Sequence, residues 1–325
     1  MAWRLRLAPE KTSIDFFQYQ WITFGGSMVL MVLAFIVWGI MGLNFGIDFQ
    51  GGTTIRTEST QAVDVGTYRT ALEGLELGDV SINEVYDPSF RDDQHVAMVR
   101  IAALDGHEAV TPETLDKVKA TLTAMDKAIT FPSVESVGPK VSSELVYSSI
   151  IAVAVTSFGI ALYIWLRFEW QFALGGVLAL LHDVFITIGI FALFQIKFDL
   201  SIIAALLTIL GYSINDTVVV FDRLRENLIK YKTMPLRDVM NLSVNETLSR
   251  TLMTSITTLI AVGSMLVFGG DVIRGFSFAI FMGVVLGTYS SVYVAKNIVL
   301  ILGLDRSEKL KKDGKAGTDF ANIDA

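Results

Sequence analysis

Four ionisable residues stand inside long apolar stretches of this sequence: His182, Asp183, Asp216 and Arg250. Charged groups in the middle of a membrane span cost roughly 2.5–3.5 kcal/mol each on insertion scales, so each needs a partner or a task. A carboxylate that takes up and releases a proton is one such task, and a nearby arginine supplies a fixed opposite charge. These residue types therefore indicate either proton-coupled chemistry or a structural ion pair.

Asp216 and Arg250 are predicted to lie at nearly the same depth on two consecutive, antiparallel helices. At about 1.5 Å per residue, Asp216 lies roughly 24 Å below the outer start of its span and Arg250 roughly 27 Å below the outer end of the next. The two side chains can therefore pair. One hypothesis is a proton carrier, Asp216, with Arg250 as its charge partner; the other is a static pair that fixes helix register. Polar residues at helical spacing suggest a hydrated path beside them: Ser213, Thr247, Thr251, Thr254 and Thr258.

Four further polar residues are candidates for supporting this site. Glu246, four residues before the arginine, is an alternative i,i+4 partner for it. His182 and Asp183 are neighbours in a helix and face about 100° apart, which predicts that they do not pair with each other. They lack a Ser or Cys nucleophile for a hydrolytic dyad, but fit a packing or relay contact to Asp216. Asn215 and Asp183 are the expected polar neighbours of the Asp216 carboxylate.

Composition places these residues in a membrane protein. The chain has 325 residues, of which 52% are hydrophobic and 18% charged, and its mean hydropathy is +0.52. Its apolar runs reach the roughly 18 residues that a membrane span needs. This excludes a soluble enzyme and a secreted disulfide scaffold, and the net charge of −7 argues against nucleic-acid binding through a basic patch. The absence of cysteine excludes thiolate metal sites, and His95 and His107 are interpreted as solvated loop residues. No metal, cofactor or enzymatic activity is expected.

Six membrane spans are predicted at about residues 22–43, 146–166, 171–194, 200–221, 250–268 and 276–302. The inner segments hold 14 Lys and Arg residues and the two short outer turns hold only Lys197 and Arg274, so both termini are predicted to be cytoplasmic. The first apolar run is too long for a cleavable signal peptide. Residues 1–21 then form a cytoplasmic and interfacial segment, and the charged tail 303–325 is predicted to be disordered. Lys296 and Asn297 are more polar than expected for the inner end of the last span.

The hydrophilic insert at residues 44–144 is predicted to form one external domain. Its pattern predicts strands at 53–59, 80–86, 96–102 and 129–137 and helices at 64–75 and 111–128. Thr111-Pro112-Glu113 is a strong helix start, with a capping hydroxyl, a proline in the first turn and an early acid. The order β-α-β-β-α-β predicts an α+β ferredoxin-like domain beside the six-helix membrane bundle. Without a nucleophile–base pair, this domain is interpreted as a binding or lever module.

Small residues mark two further features. Span 6 carries a stripe at four-residue spacing, which allows close helix approach either within the bundle or with another subunit. Its members are Ala279, Gly283, Gly287 and Ser291. The outer edge of span 1 combines glycines that permit tight turns with an acid that could act as a cap. Its members are Gly46, Asp48, Gly51 and Gly52. A coupling hinge between domain and bundle is the hypothesis for this edge.

Several of these motifs together resemble one protein family. Residues 46–52, GIDFQGG, are similar to the GG signature of the SecD/SecF family. Residues 211–223, GYSINDTVVVFDR, resemble the fourth-span motif of its SecF branch. Residues 245–251 and 287–291 resemble the fifth- and sixth-span motifs. The resemblance covers nearly the whole chain, from residue 15 to residue 302.

The resemblance implies an accessory subunit of bacterial preprotein export within the resistance-nodulation-division (RND) superfamily. Members have six spans and a ferredoxin-like periplasmic domain, lie in the inner membrane, and pair with SecD as the other pseudo-symmetric half. The complex associates with the SecYEG channel, the SecA motor, YajC and YidC. It uses the proton-motive force to help pull unfolded preproteins out on the periplasmic side. In this family the residues that match Asp216 and Arg250 form the membrane proton pathway.

Two other functions stay open from the residues alone. A half-transporter that exports a lipid or a small molecule would use the same proton chemistry. A passive assembly scaffold of the Sec complex would need the ion pair for structure only. Since six spans and one external domain make half of the usual superfamily plan, an obligate partner chain is expected.

Overall fold

The structure is a computed structural model that describes residues 12–62, 64–75, 77, 79–85, 90–91, 93–102 and 110–304. Several sequence predictions fall outside the described residues. These are the first half of the N-terminal segment, the end of the second predicted strand at Tyr86, the loop histidine His107, and the tail beyond residue 304.

The chain begins with α1 (Gln20–Met41) and the short α2 (Ile47–Gln50), and then forms a sheet domain. The elements of that domain are β1 (Gly52–Ser59), α3 (Val65–Glu73), β2 (Val80–Val85), β3 (His95–Ile101), α4 (Pro112–Met125) and β4 (Thr130–Val137). The strand order is β2-β3-β1-β4, and every neighbouring pair is antiparallel. Each predicted strand and helix of the domain is therefore present, and the elements follow one another in the predicted order.

Alternation of side chains along the strands gives the sheet domain its core. Ile55 at the centre of β1 lies opposite Val99 of β3 and Val134 of β4. The face that carries Ile55 is covered by α3 and α4, whose Leu72 and Leu122 are buried against it. The start of α4 is as predicted, because the Thr111 side chain accepts a hydrogen bond from the Thr114 backbone N–H at 3.2 Å.

Among the remaining described residues there are six long helical rods, each long and apolar enough to cross a membrane. After α1 they are α5 (Pro139–Arg167), α6 (Trp170–Phe194), α7 (Leu200–Lys230), α8 (Leu236–Phe268), and a last rod of α9 (Asp271–Ser290), a π-helical turn (Ser291–Ala295) and α10 (Lys296–Leu302). We call the end of the bundle at Met41, Pro139 and Leu200 the sheet-domain end. The opposite end, at Gln20, Arg167 and Lys230, is the far end.

Two of these helices extend well past the predicted spans. α7 continues to Lys230 instead of ending near residue 221, and α8 begins at Leu236 instead of near residue 250. Hydropathy marks where apolar residues end, whereas a helix continues as long as good helix formers follow and no proline or glycine interrupts them. Neither 222–230 nor 236–249 contains a proline or a glycine, so polar helical extensions project at the far end.

Close approach of small residues holds the bundle together. The stripe on the last rod faces α7, since a Cβ atom on Gly283 would overlap the Ile209 side chain. A Cβ atom on Gly287 would stand only 3.0 Å from the Ser213 side chain. The other two members of the stripe are buried as well. This stripe therefore packs inside the bundle, one of the two uses that its spacing allows.

The N-terminal segment explains the unexpected polarity of Lys296. The Ile14 backbone N–H donates to Asn245 Oδ1 at 2.9 Å, and the Phe16 N–H donates to Asn241 Oδ1 at 2.9 Å. These contacts tie the segment to α8 at the far end. Lys296, 1% exposed, donates to the Phe16 carbonyl at 3.3 Å, and its Nζ lies 4.0 Å from the centre of the Phe17 ring. Aromatic faces and a carbonyl thus replace water around the buried ammonium group.

Gly283→Leu is expected to destabilise the protein by about 1–3 kcal/mol, because the added atoms must enter the packed contact with Ile209. The measurement is thermal unfolding of the purified protein in detergent. Gly159→Leu in α5 is the matched control, since a Cβ atom there meets nothing within 4 Å. Equal unfolding temperatures for the two variants would contradict the close packing of α9 on α7.

Candidate functional site

Asp216 is a buried acid whose hydrogen bonding is incomplete. Only 2% of the residue is exposed. Its Oδ1 accepts a long hydrogen bond of 3.5 Å from Thr254 Oγ1 on α8. Its Oδ2 has no hydrogen-bond donor among the residues that the structure describes. A buried carboxylate oxygen without a donor is an unsatisfied acceptor, and a water molecule or a bound proton can complete its bonding.

The predicted ion pair between Asp216 and Arg250 is not formed in this structure. Across the described part of the chain, no nitrogen of Arg250 comes within 4.0 Å of a carboxylate oxygen. Asp216 instead faces Thr254, about one helical turn nearer the sheet-domain end than Arg250. The prediction failed because counting depth at a fixed rise per residue ignores where two helices cross.

Arg250 lines a cavity of about 420 Å³ at the far end, between α5, α7 and α8. Val218 and Val219 line it as well, and both lie within one helical turn of Asp216. A cavity with charged walls and this volume holds water readily. Water can therefore come within about a turn of the Asp216 carboxylate. The charged residues of the wall are Arg167, Asp222, Arg223, Glu226, Glu246 and Arg250.

Glu246 does not take Arg250 as its partner, so the i,i+4 alternative is wrong for this structure. Its Oε2 instead accepts from Arg223 Nε at 2.7 Å and from Asn227 Nδ2 at 2.6 Å, both on α7. Arg223 also donates to Glu226 at 2.6 Å. The extension of α7 past its predicted end brings these partners opposite Glu246. Solvent-exposed pairs of this kind contribute about 0–1 kcal/mol, so they orient α7 and α8 more than they stabilise them.

His182 and Asp183 form a buried pair, contrary to the prediction that adjacent residues face apart. His182 Nδ1 lies 3.0 Å from Asp183 Oδ1, and the exposed fractions of the two side chains are 1% and 0%. Helical spacing fixes the Cα–Cβ directions, but rotation about the side-chain bonds brings the ring to the carboxylate. Asp183 Oδ2 accepts from Ser213 Oγ and Ser290 Oγ, each at 2.7 Å. The expected contact to Asp216 is therefore indirect, because Ser213 lies one turn away on the same helix.

The hydrogen bonds of this pair involve residues that the sequence analysis did not single out. Ser27 Oγ on α1 lies 2.8 Å from His182 Nε2, and Ser290 donates to the acid from the last rod. The sequence feature that could have identified Ser27 and Ser290 is the presence of a serine inside an apolar span. Asn215, in contrast, is exposed, and its side chain makes no hydrogen bond to any residue that the structure describes. It lies about 100° around α7 from Asp216, so the predicted polar contact between them is not made.

At the sheet-domain end, the glycine-rich edge after α1 is bonded to the start of α7. Asp48 Oδ2 accepts from the Leu200 backbone N–H at 2.9 Å, which satisfies one of the free amides at the α7 N-terminus. The Gly46 N–H donates to the Phe198 carbonyl at 2.8 Å. Gly51 and Gly52 have φ angles of 73° and 119°, which favour glycine, and they turn the chain into β1. Asp48 lies in α2 and therefore caps the N-terminus of another helix, α7.

Arg100 connects the sheet to the same edge. Its Nη1 donates to the Phe45 carbonyl at 2.8 Å and its Nη2 donates to Gln50 Oε1. Partial burial lowers the pKa of the Arg100 guanidinium from its ordinary value, and the nearby charge of Asp79 opposes that shift. Arginine stays protonated in proteins despite such shifts, so the contact is a charge-assisted one. The sheet, the glycine-rich edge and α7 thus form one connected series of hydrogen bonds.

Asp48→Ala is expected to weaken the α7 N-terminus by about 1 kcal/mol, the usual loss for a helix cap. Hydrogen exchange of the Leu200 amide measures this directly and should become about fivefold faster. Asp48→Asn is the matched control because its amide oxygen can still accept the bond. If both variants exchange Leu200 at the parent rate, Asp48 does not cap α7.

Comparisons with known proteins show the family of this chain. A family model for "Protein export membrane protein SecD/SecF, C-terminal" matches residues 117–305, and one for the "SecD/SecF GG Motif" matches residues 36–63. The chain is 72% identical over 325 residues to protein translocase subunit SecF of Cereibacter sphaeroides, covering 100% of both chains. It is 65% identical over 319 residues to the subunit of the same name from Rhodobacter capsulatus, covering 96% of each.

Solved structures give the same result for the fold. The crystal structure of SecDF from Thermus thermophilus superposes with a TM-score of 0.81 at 36% identity over 91% of this chain. SecDF in a super-membrane-facing form gives a TM-score of 0.65 at 34% identity over 97% of this chain. The match spans only 39% and 41% of those two SecDF chains. This chain is therefore a multi-pass membrane protein with one small sheet domain.

Proposed function

This chain belongs to the SecD/SecF family of protein export membrane proteins, and on that premise we propose that it couples the proton-motive force to preprotein export. It acts without enzymatic chemistry of its own, as an accessory subunit that works with SecD beside the SecYEG channel. SecA, YajC and YidC are the further proposed components. It lies in the bacterial inner membrane with both termini in the cytoplasm, so the sheet domain is periplasmic and the far end is cytoplasmic.

The observation that carries this proposal is the incomplete bonding of Asp216. A permanent structural carboxylate would have its donors in place, as Asp183 does, whereas Asp216 Oδ2 has none among the described residues. We place the route for protons between Asp216 and the cytoplasm through the cavity at the far end, which has Arg250 at its wall and reaches to within about one helical turn of Asp216. One charge moved through the membrane potential yields about 2.3 kcal/mol per 100 mV, which is enough to bias a two-state bundle.

The contacts at the sheet-domain end support coupling from Asp216 to the periplasm. α7 carries Asp216 and also begins at Leu200, the residue that Asp48 caps. Arg100 ties the sheet to the same edge. A displacement of α7 that follows a change in the charge of Asp216 therefore pulls on the sheet domain. The strand order β2-β3-β1-β4 with two helices on one face supports a ferredoxin-like description of that domain.

The outward face of α7, the helix that carries Asp216, supports a partner chain beside this helix. Four small or polar residues on this face are exposed at spacings of four, three and four. They are Ala204, Thr208, Gly211 and Asn215. Lipid gives such a face little to pack against, whereas a second helix can approach it closely. Since the solved SecDF chains are more than twice as long as the part matched here, we place the six-span half of SecD against this face.

Asp216→Asn is expected to remove the stimulation of translocation by a proton gradient, because the amide keeps the shape of the side chain but cannot carry a proton. The assay is preprotein translocation into vesicles containing SecYEG, SecD and this chain, with and without an imposed gradient. The rate with the gradient should fall to the rate without it. Thr257→Ala on α8 is the control and should keep most of the stimulation, because this exposed hydroxyl donates only to carbonyls of its own helix.

Copurification of SecD with each variant shows whether the complex still assembles. The proton-carrier assignment is contradicted if Asp216→Asn assembles with SecD and translocates preprotein as fast as the parent in a gradient.

A further inference from the structure

The pair of His182 and Asp183 is the best-connected polar group inside the bundle. It lies on α6 and is hydrogen-bonded to three other helices. Ser27 reaches it from α1, Ser213 from α7 and Ser290 from α9. A serine or asparagine in place of the pair would be enough to fix helix register. A histidine beside a carboxylate adds something that register does not need, which is a place for a proton.

Counting hydrogens shows where that proton goes. Asp183 Oδ2 accepts two hydroxyl hydrogens, from Ser213 and Ser290, and its Oδ1 faces His182 Nδ1. When Asp183 is ionised, both of its oxygens can only accept, so Nδ1 carries a hydrogen and donates it. His182 Nε2 is then free to be bare or protonated. Its partner, the Ser27 hydroxyl, can donate to a bare nitrogen or accept from a protonated one.

We propose that His182 Nε2 is a second proton-binding site of the protein, which switches the buried pair between a single negative charge and a neutral state. Proton uptake forms the Nε2–H bond and turns the Ser27 hydroxyl round, so that Ser27 accepts instead of donating. Release reverses both changes. No other bond is made or broken, and both helices keep their hydrogen bond in either state. The inference rests on the proposed proton coupling, which supplies the protons.

The surroundings of the pair leave the charge change uncompensated by fixed cations. α1 has no ionisable side chain between Gln20 and Met41, and α5 has none between residues 148 and 162. α7 contributes Asp216, one turn beyond Ser213. The last rod contributes Tyr289, whose hydroxyl donates to the Thr23 carbonyl at 2.8 Å, and farther along Tyr293 and Lys296, which face Phe16. Among the described residues no lysine or arginine forms an ion pair with Asp183.

Ser213 links this site to Asp216. It donates to Asp183 at 2.7 Å and precedes Asp216 by three residues on the same helix face. It is also the residue against which Gly287 packs. A shift of α7 that accompanies proton exchange at Asp216 therefore alters the hydrogen bond that Asp183 receives. The two sites are expected to influence each other's proton affinity.

The chain has only three histidines, which makes the site directly observable. In a His95→Gln, His107→Gln background, nitrogen-15 labelled histidine reports on His182 alone in the full chain reconstituted with SecD in lipid bilayers. Solid-state NMR then follows Nε2 from about pH 5 to pH 9, the range in which imidazole ordinarily changes charge. The expected result is conversion between a neutral ring with hydrogen on Nδ1 and a doubly protonated ring. A ring that keeps one state across this range, or that carries its hydrogen on Nε2 alone, overturns the proposal.

Variants test the link to Asp216 and separate this inference from the proposed function. Asp216→Asn should move the midpoint of the His182 titration by about half a pH unit or more, a threefold change in proton affinity. The control Thr257→Ala should leave the midpoint in place, because its hydroxyl bonds only within α8. An unmoved midpoint in Asp216→Asn overturns the coupling of the two sites. Failure of the proposed function would give a different result. Translocation by Asp216→Asn would still be stimulated by the gradient, while His182 would still titrate.

The functional counterpart is His182→Gln, whose amide can donate and accept but cannot take a proton. Gradient-driven translocation by this variant should lose its dependence on pH over the range in which His182 titrates in the parent. Ser27→Ala removes the Nε2 partner without removing an ionisable group, and should shift that dependence instead of abolishing it. A purely structural pair would give equal losses at every pH in both variants, which would contradict the inference.

Discussion

A carboxylate held away from water needs hydrogen-bond donors, and the bundle contains two acids that meet this constraint differently. Asp183 is completely satisfied, with His182 on one oxygen and Ser213 and Ser290 on the other. Asp216 has one long bond from Thr254 and an oxygen with no donor in the described part of the chain. The first acid holds four helices in one arrangement. The second has an oxygen without a donor among the described residues, and the proposed coupling depends on that difference.

The helix α7 links the polar features that matter for the proposed function. Its N-terminus is capped by Asp48 from the glycine-rich edge, its middle carries Ser213 and Asp216, and its far extension carries Arg223 opposite Glu246. Gly283 and Gly287 bring the last rod into direct contact with it. A helix packed this closely moves as a rigid element rather than bending locally. Changes at Asp216 are therefore expected to reach both ends of the bundle.

Several site predictions failed where they depended on the relative placement of two helices. The depth count placed Asp216 level with Arg250, but the helices cross so that Thr254 lies opposite the acid. The i,i+4 rule offered Glu246 to Arg250, but α7 continues past its apolar part and supplies Arg223. The rule that neighbours face apart separated His182 from Asp183, but their side chains rotate together. Helical spacing by itself therefore fixes neither the partner across a helix crossing nor the rotation of a side chain within one helix.

The sequence by itself determined which segments are helices and strands, because hydrophobic period and capping residues act locally along the chain. The six apolar helices, the order of elements in the sheet domain and the start of α4 at Thr111 all follow from such local signals. It also pointed to the ionisable residues, since an acid or histidine in an apolar run stands out. The tertiary structure alone decided their partners. Three contacts join residues more than a hundred positions apart: those of Asp48 with Leu200, of Ser27 with His182, and of the N-terminal segment with Lys296. Contacts at that separation are fixed by helix crossing and side-chain rotation, which no period in the chain records.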